Sequence, residues 1–239
     1  MLDIKTIQTE LYSLGNEEKI GSIKRYFKTE KGQYAKADVF LGISIPQLRN
    51  LSSRFQDTDL NHLQLMLFSK FHEERMLSLL ILVRKFQKFK IHSERDEIFT
   101  FYTDSKNIIQ VNNWDLVDTS CRNIIGAYLM DNPLHINLLT KLAQSSNIWL
   151  RRISIVSTYE FISKGKFDIA YRIAKLVLGD NEDMIQKAVG WMLREIGKRD
   201  KNSEINFLIM HRAVMPCKVM RYAIEIFSPY EKDTVRKFS

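Results

Sequence analysis

Glu74–Leu80 reads E-R-M-L-S-L-L, and its pattern of one polar residue followed by mostly apolar or small ones returns four times. The echoes are V-D-T-S-C-R-N at Val117–Asn123, R-R-I-S-I-V-S at Arg151–Ser157, Q-K-A-V-G-W-M at Gln186–Met192 and M-R-Y-A-I-E-I at Met220–Ile226. Aligned, they place Arg75, Asp118, Arg152, Lys187 and Arg221 at one register position, about 35 to 43 residues apart. Each stretch falls in the second half of a pair of amphipathic segments, so the repeating unit is a helix pair.

Apolar residues recur at helical spacing on both sides of these anchors. Ile4, Ile7, Leu11 and Leu14 form one stripe that stops at Gly15-Asn16. Further segments run at about 45–55, 60–68, 73–89, 94–104, 114–129, 134–143, 148–163, 167–178, 184–197, 203–213 and 218–227. Short breaks such as Asp131-Asn132-Pro133, Gly165 and Met215-Pro216 separate them. Val39-Phe40-Leu41 is too short for a strand, and 9 Gly with 4 Pro are few for an all-β chain. The period lies near that of HEAT and armadillo repeats. The expected fold is therefore an all-α, HEAT-like repeat α-α solenoid with a basic concave face. It forms one domain over residues 1–239, with 203–239 as a capping repeat.

At 45% hydrophobic residues the chain can bury a substantial core. Its net charge of +8 and pI near 9.4 favour a polyanionic partner, nucleic acid before anionic membrane. Many soluble proteins are equally basic without one. Cys121 and Cys217 stand far apart with no metal-ligand spacing, so neither a disulfide framework nor a structural zinc is expected. The N-terminus lacks a signal-peptide pattern, and no run approaches eighteen apolar residues. A reducing cytoplasm, with nucleoid association when bound to DNA, is the expected setting. No cofactor, metal, nucleotide or membrane partner is expected.

Four of the five register positions are cationic: Arg75, Arg152, Lys187 and Arg221. A regular row of cations on one face can track a phosphate backbone, although charged residues near helix ends are also ordinary solvated surface. Asp118 is the exception, and it sits in N-N-W-D-L-V-D. Trp114 and Asp118, four apart, share a helix face, whereas Asp115 is expected to point elsewhere. Trp191 follows Lys187 by one turn. Indoles pack against sugar rings, and a carboxylate among them stabilises developing positive charge, as in oxocarbenium-like glycosidic cleavage. A water held by Asp118 would be the nucleophile. A core role for either Trp, or a salt bridge from Asp118 to Arg152 or Arg122, are the plainer readings.

The motifs F-L-G-I-S-I-P-Q-L-R, N-W-D-L-V-D, N-I-W-L-R-R and I-Q-K-A-V-G-W-M-L-R-E resemble those of the AlkD-like DNA alkylation-repair glycosylases, in order and spacing, from about Phe40 to Glu195. The resemblance implies double-stranded DNA as partner and N3- or N7-alkylated purines as substrate, cleaved without flipping the base. It puts the supporting carboxylate on Asp118, the sugar contacts on Trp114 and Trp191, and a phosphate grip on Arg152. The substrate base is already cationic, so one carboxylate suffices and neutral lesions are poor substrates. No Lys stands as an obvious Schiff-base nucleophile, so no lyase activity is expected. That family carries an amphipathic DNA-clasping helix just before the F-L-G-I motif. Here residues 28–38 read K-T-E-K-G-Q-Y-A-K-A-D, with no apolar stripe, and the preceding helix is expected to end near Phe27. Three functions follow: an alkylpurine glycosylase, a catalytically silent homologue binding bent, branched or damaged DNA, and a protein–protein scaffold.

Overall fold

The computed structural model describes residues 3–36, 38–89 and 91–237, so Ala37 in the 28–38 segment lies outside the described residues. These are helical with no strand; the chain has the all-α, solenoid-like fold its repeats predict. They cluster into two units, residues 1–124 and 125–239.

The first unit contains α1 (Ile4–Ser13), α2 (Glu17–Phe27), α3 (Ile45–Arg54), α4 (Leu60–Leu67), α5 (His72–Lys88), α6 (His92–Thr103), α7 (Ser105–Ile108) and α8 (Trp114–Cys121). Helix α5 is its spine. Burial runs almost unbroken from His72 to Val83, because α3, α4, α6 and α8 all pack on it. Helix α2 is the opposite case, with no buried residue. After Phe27 the chain turns at Lys28, whose φ of 55° is the left-handed cap that ends a helix. Residues 28–36 then run as turns. Val39 makes one isolated bridge with Phe71.

The second unit contains α9 (Ala127–Asp131), α10 (Asn137–Ala143), α11 (Ile148–Val156), α12 (Tyr159–Ser163), α13 (Asp168–Val177), α14 (Asp183–Gly197), α15 (Lys201–His211), α16 (Cys217–Ala223) and α17 (Pro229–Lys237). Its spine is α14, packed by α11, α15 and α16. Gly190 permits the last contact: a Cβ there would lie 2.4 Å from Tyr222 Cβ and 2.7 Å from the Val219 carbonyl. The sequence reads a single helix over 148–163. The helix instead breaks at Ser157-Thr158, where the Thr158 hydroxyl donates to the Ile155 carbonyl and competes with the helical ladder. Residues 114–131 stay helical but widen into a π-turn at Arg122–Gly126. Among the described residues no helix is long and apolar enough to cross a membrane.

The five repeat stretches fall in α5, α8, α11, α14 and α16. Asp118, Arg152, Lys187 and Arg221 are each the fifth residue of their helix, and Arg75 is the fourth. The repeat read from the sequence thus falls about one turn into each of these helices.

Candidate active site

Trp114 and Asp118 open on the same cleft, in the first unit. It encloses about 580 Å³ and is walled by Tyr26 and Phe27 of α2, Phe40, Leu48 of α3 and Met76 of α5, with Lys19 and Arg49 also lining it. The helical spacing of four residues that groups Trp114 with Asp118 is what puts both there. Both are half-buried.

Helix α8 starts where it does because Asn113 caps it. The Asn113 side-chain oxygen accepts from the Trp114 N–H at 2.8 Å, and its amide donates to Asp38 Oδ2 at 2.7 Å. One face of the indole is covered by Phe27, with ring centroids 5.5 Å apart and planes 17° from parallel. Tyr26 meets the indole edge-on at 5.7 Å and is itself 67% exposed. Phe27 also contacts Phe40 and the His72 ring, so a single side chain of α2 plugs an aromatic cluster.

Beneath this cluster lies a buried ionic network. His72 Nδ1 is 3.2 Å from Asp38 Oδ2, and its Nε2 is 2.8 Å from Asp115 Oδ2. Burial opposes the imidazolium, but the Asp115 and Asp38 carboxylates outweigh it and raise the His72 pKa to about 9. His72 therefore donates to both at neutral pH. Burial likewise opposes the Asp38 carboxylate, and His72 and Arg75 offset it, holding its pKa at about 2. Asp115 does not point elsewhere, as its position one step round from Trp114 predicts; it lines the same cleft from behind. Nothing in the spacing reveals this network, because its members are 34 and 43 residues apart in the chain.

Arg75 belongs to this network too, which corrects its placement among the open phosphate-binding cations. It is 4% exposed, with Nη2 2.5 Å from Asp38 Oδ1 and Nη1 2.5 Å from Asn112 Oδ1. Its guanidinium is occupied in neutralising a buried carboxylate.

The F-L-G-I motif is explained by the neighbouring Glu73. Its carboxylate accepts from the Leu41, Gly42 and Ile43 amides at 2.9, 2.9 and 3.3 Å, folding this segment over the N-terminus of α5. Gly42 has φ of 83°, and a Cβ there would lie 2.1 Å from the Asn16 carbonyl oxygen. Ser44 and Gln47 form a capping box that starts α3. The motif is a structural clamp that sets one wall of the cleft.

The other register residues lie in the second unit. Arg152 is 5% exposed and donates to the Met184 carbonyl at the start of α14. Lys187 pairs with Asp183 at 2.7 Å and stays partly exposed. Arg221 is exposed. Trp191 is half-buried beside Tyr159, ring centroids 6.2 Å apart, and hydrogen-bonds to Glu195. Glu195 pairs with Lys198 at 2.6 Å and Arg199 at 3.3 Å; burial works against its charge, and these partners lower its pKa overall. So the row read from the sequence divides. Arg75 and Arg152 are internal, while Lys187 and Arg221 reach solvent.

Fold and cleft define a helical-repeat protein carrying a carboxylate beside an indole in an aromatic cleft. The profile of the DNA alkylation repair enzyme family matches residues 7–227, and the chain belongs to that family. A solved structure described as "Predicted DNA alkylation repair enzyme from Enterococcus faecalis" is similar in fold. It has a TM-score of 0.69 at 19% identity, covering 90% of this chain and 97% of its own. Comparison with curated protein sequences gives no match.

Proposed function

We propose that the chain binds duplex DNA and hydrolyses the N-glycosidic bond of cationic N3- or N7-alkylated purines. The observation that carries this reading is the placement of Trp114 and Asp118 on one aromatic cleft. As the bond from C1′ to the base nitrogen breaks, its electron pair neutralises the cationic base, so no general acid is required. Positive charge develops on the sugar, and Asp118 stabilises it electrostatically among poorly hydrating aromatic walls. A water attacks C1′ and gives its proton to Asp118, leaving an abasic site and a neutral alkylpurine. The exposed edge of the Trp114–Tyr26 pair packs against the sugar. In the second unit, Trp191 supplies a further sugar contact and Lys187 and Arg221 meet phosphate. Arg152, buried on the Met184 carbonyl, reaches phosphate only if that bond yields.

A second reading, a catalytically silent member that binds DNA, is favoured by two observations. Residues 28–36 are turns rather than an amphipathic helix, and Phe27 covers one face of Trp114. Base release from duplex DNA with one 7-methylguanine, against a duplex with a neutral ethenoadenine, decides between them. Release from the first alone supports the enzyme. Binding of both with release from neither sinks it.

A further inference from the structure

We infer that the cleft holding Trp114 and Asp118 is a pocket for one cationic purine nucleotide, turned out of the duplex. This deepens the proposed function and rests on it for the source of the nucleotide. It departs from the cleavage without base flipping that the family resemblance implies, because this chain offers the base a place to go.

The first observation is an apolar wall left open. Lys19, Ser22, Ile23, Tyr26 and Phe27 share one face of α2 and line the cleft. The apolar members of such a face ordinarily pack against neighbouring helices. Yet no residue of α2 is buried, and Ile23 and Phe27 stay half-exposed beside the exposed Tyr26. Helix α3 adds Ile45 and Leu48 to the lining. A gap of about 580 Å³ is thus held between apolar walls, within the size range of small-ligand sites. The gap forfeits packing that a collapsed cleft would gain, and a bound ligand restores it.

The second observation is that the cleft carries two kinds of polar recognition. Trp114 clusters with Tyr26 and Phe27, and Asp118 stands one turn on along α8. Aromatic faces and a carboxylate both attract a planar cation, and an N7-alkylated purine is one. Lys19 of α2 and Arg49 of α3 line the same cleft and are exposed, and among the described residues neither side chain is ion-paired. These two suit a phosphate. Lys19 precedes Tyr26 by seven residues, about 10 Å along α2, so the cation and the ring stand towards opposite ends of one helix face. A nucleotide likewise carries its anion and its base at opposite ends. A purely apolar ligand leaves Lys19, Arg49 and Asp118 unanswered, and a bare phosphate leaves the aromatic wall uncovered.

A base stacked within a duplex cannot enter a cleft walled by helices, so the nucleotide leaves the stack first. Eversion costs least at a damaged base, which adds to selectivity. With the base among the aromatic rings, its sugar meets the exposed Trp114–Tyr26 edge and C1′ comes to Asp118, where the proposed chemistry needs it. Unmodified guanine is neutral and lacks the cationic attraction.

Equilibrium dialysis of the full chain at pH 6, where the methylated base stays cationic, tests the pocket with three probes. They are 7-methylguanosine 5′-monophosphate, guanosine 5′-monophosphate and 7-methylguanosine. The first should bind saturably and about 10-fold or more tighter than the second, which lacks the cation. Loss of the phosphate should weaken binding about 10-fold, and Lys19→Gln/Arg49→Gln should erase that difference. The control Lys141→Gln/Lys164→Gln, in the second unit, should change neither ratio. Equal binding of the two monophosphates, or no saturable binding, overturns this inference and leaves the DNA-binding reading standing. The source of the nucleotide is read from a duplex with 2-aminopurine beside a single 2′-fluoro-7-methylguanine, whose glycosidic bond resists cleavage. The 2-aminopurine fluorescence should rise when the protein binds this duplex and stay flat on an undamaged one. A flat signal on bound lesion duplex, with 7-methylguanosine 5′-monophosphate still held, overturns eversion and makes the free nucleotide the ligand. Absence of duplex binding overturns the DNA-binding reading instead.

Discussion

Replacing Asp115 with Asn tests the ionic network under the cleft. His72 is flanked by two carboxylates and nearly sealed from solvent, and its pKa rises from 6.5 to about 9. That difference corresponds to about 3 kcal/mol in favour of the imidazolium in the folded state. The folded-state pKa lies above the unfolded one. The contribution is therefore complete below about pH 6.5 and is lost as pH rises through about 9. In Asp115→Asn the larger of the two carboxylate attractions is gone, and Asp38 alone faces the burial that disfavours the imidazolium. The variant should be less stable than wild type by up to about 3 kcal/mol near pH 6, and the gap should close towards pH 10. Urea unfolding followed by tryptophan fluorescence at pH 6, 7.5, 9 and 10 reads the gap. The comparison must be between proteins, because Glu204 also weakens wild type as pH rises. A gap that is constant across this range would refute the coupling of His72 to Asp115. A His72 ring proton titrating near 6.5 by NMR would refute it equally.

Four further outcomes are expected. Glu204 is fully buried, neither carboxylate oxygen has a partner among the described residues, and burial raises its pKa to about 8 despite Lys201 and Arg194. Its folded pKa exceeds the unfolded value, so stability falls between about pH 4.5 and 8. Glu204→Gln should flatten that fall and gain about 2 kcal/mol at pH 9 after the cost of an unpaired amide, read as an unfolding midpoint. Arg75→Gln strips a buried carboxylate of its partner and should cost about 3 to 5 kcal/mol in the same assay, with the salt slope of DNA binding untouched. Gly42→Ala forces a left-handed Ala into the Asn16 carbonyl and should destabilise by about 2 kcal/mol or more, whereas Gly32→Ala, also left-handed but in open space, should cost about 1. Phe27→Ala uncovers the Trp114 face and should red-shift its emission while lowering stability by about 1 to 2 kcal/mol, as for a half-buried Phe.

The helices and the repeat were legible in the sequence because both follow from local periodicity. The stretches around Arg75, Asp118, Arg152, Lys187 and Arg221 occupy matching positions one turn into α5, α8, α11, α14 and α16. The end of α2 at Phe27 was legible for the same reason, since no apolar stripe continues past it. Pairing across long separations was not. Arg75 and Lys187 read alike as cations at one register position, yet Asp38, 37 residues away, buries the first. Asp115 looked peripheral beside Trp114 because helical geometry describes faces and says nothing of what packs against them; His72 on α5 turns that face into an interior. That Trp114 and Asp118 share a face was legible because four-residue spacing is local, while the Phe27 plug that covers the indole comes from a distant helix.

Single-turnover base release tests whether Asp118 supports cleavage of the glycosidic bond of a cationic purine. Wild type and Asp118→Asn are mixed in excess with a duplex bearing one 7-methylguanine, and abasic sites are counted after alkali cleavage while binding is measured in parallel. Wild type should release the base rapidly and Asp118→Asn about 100-fold or more slowly, with duplex affinity retained. Wild-type release at the spontaneous rate, on DNA that the protein demonstrably binds, would contradict the glycosylase reading.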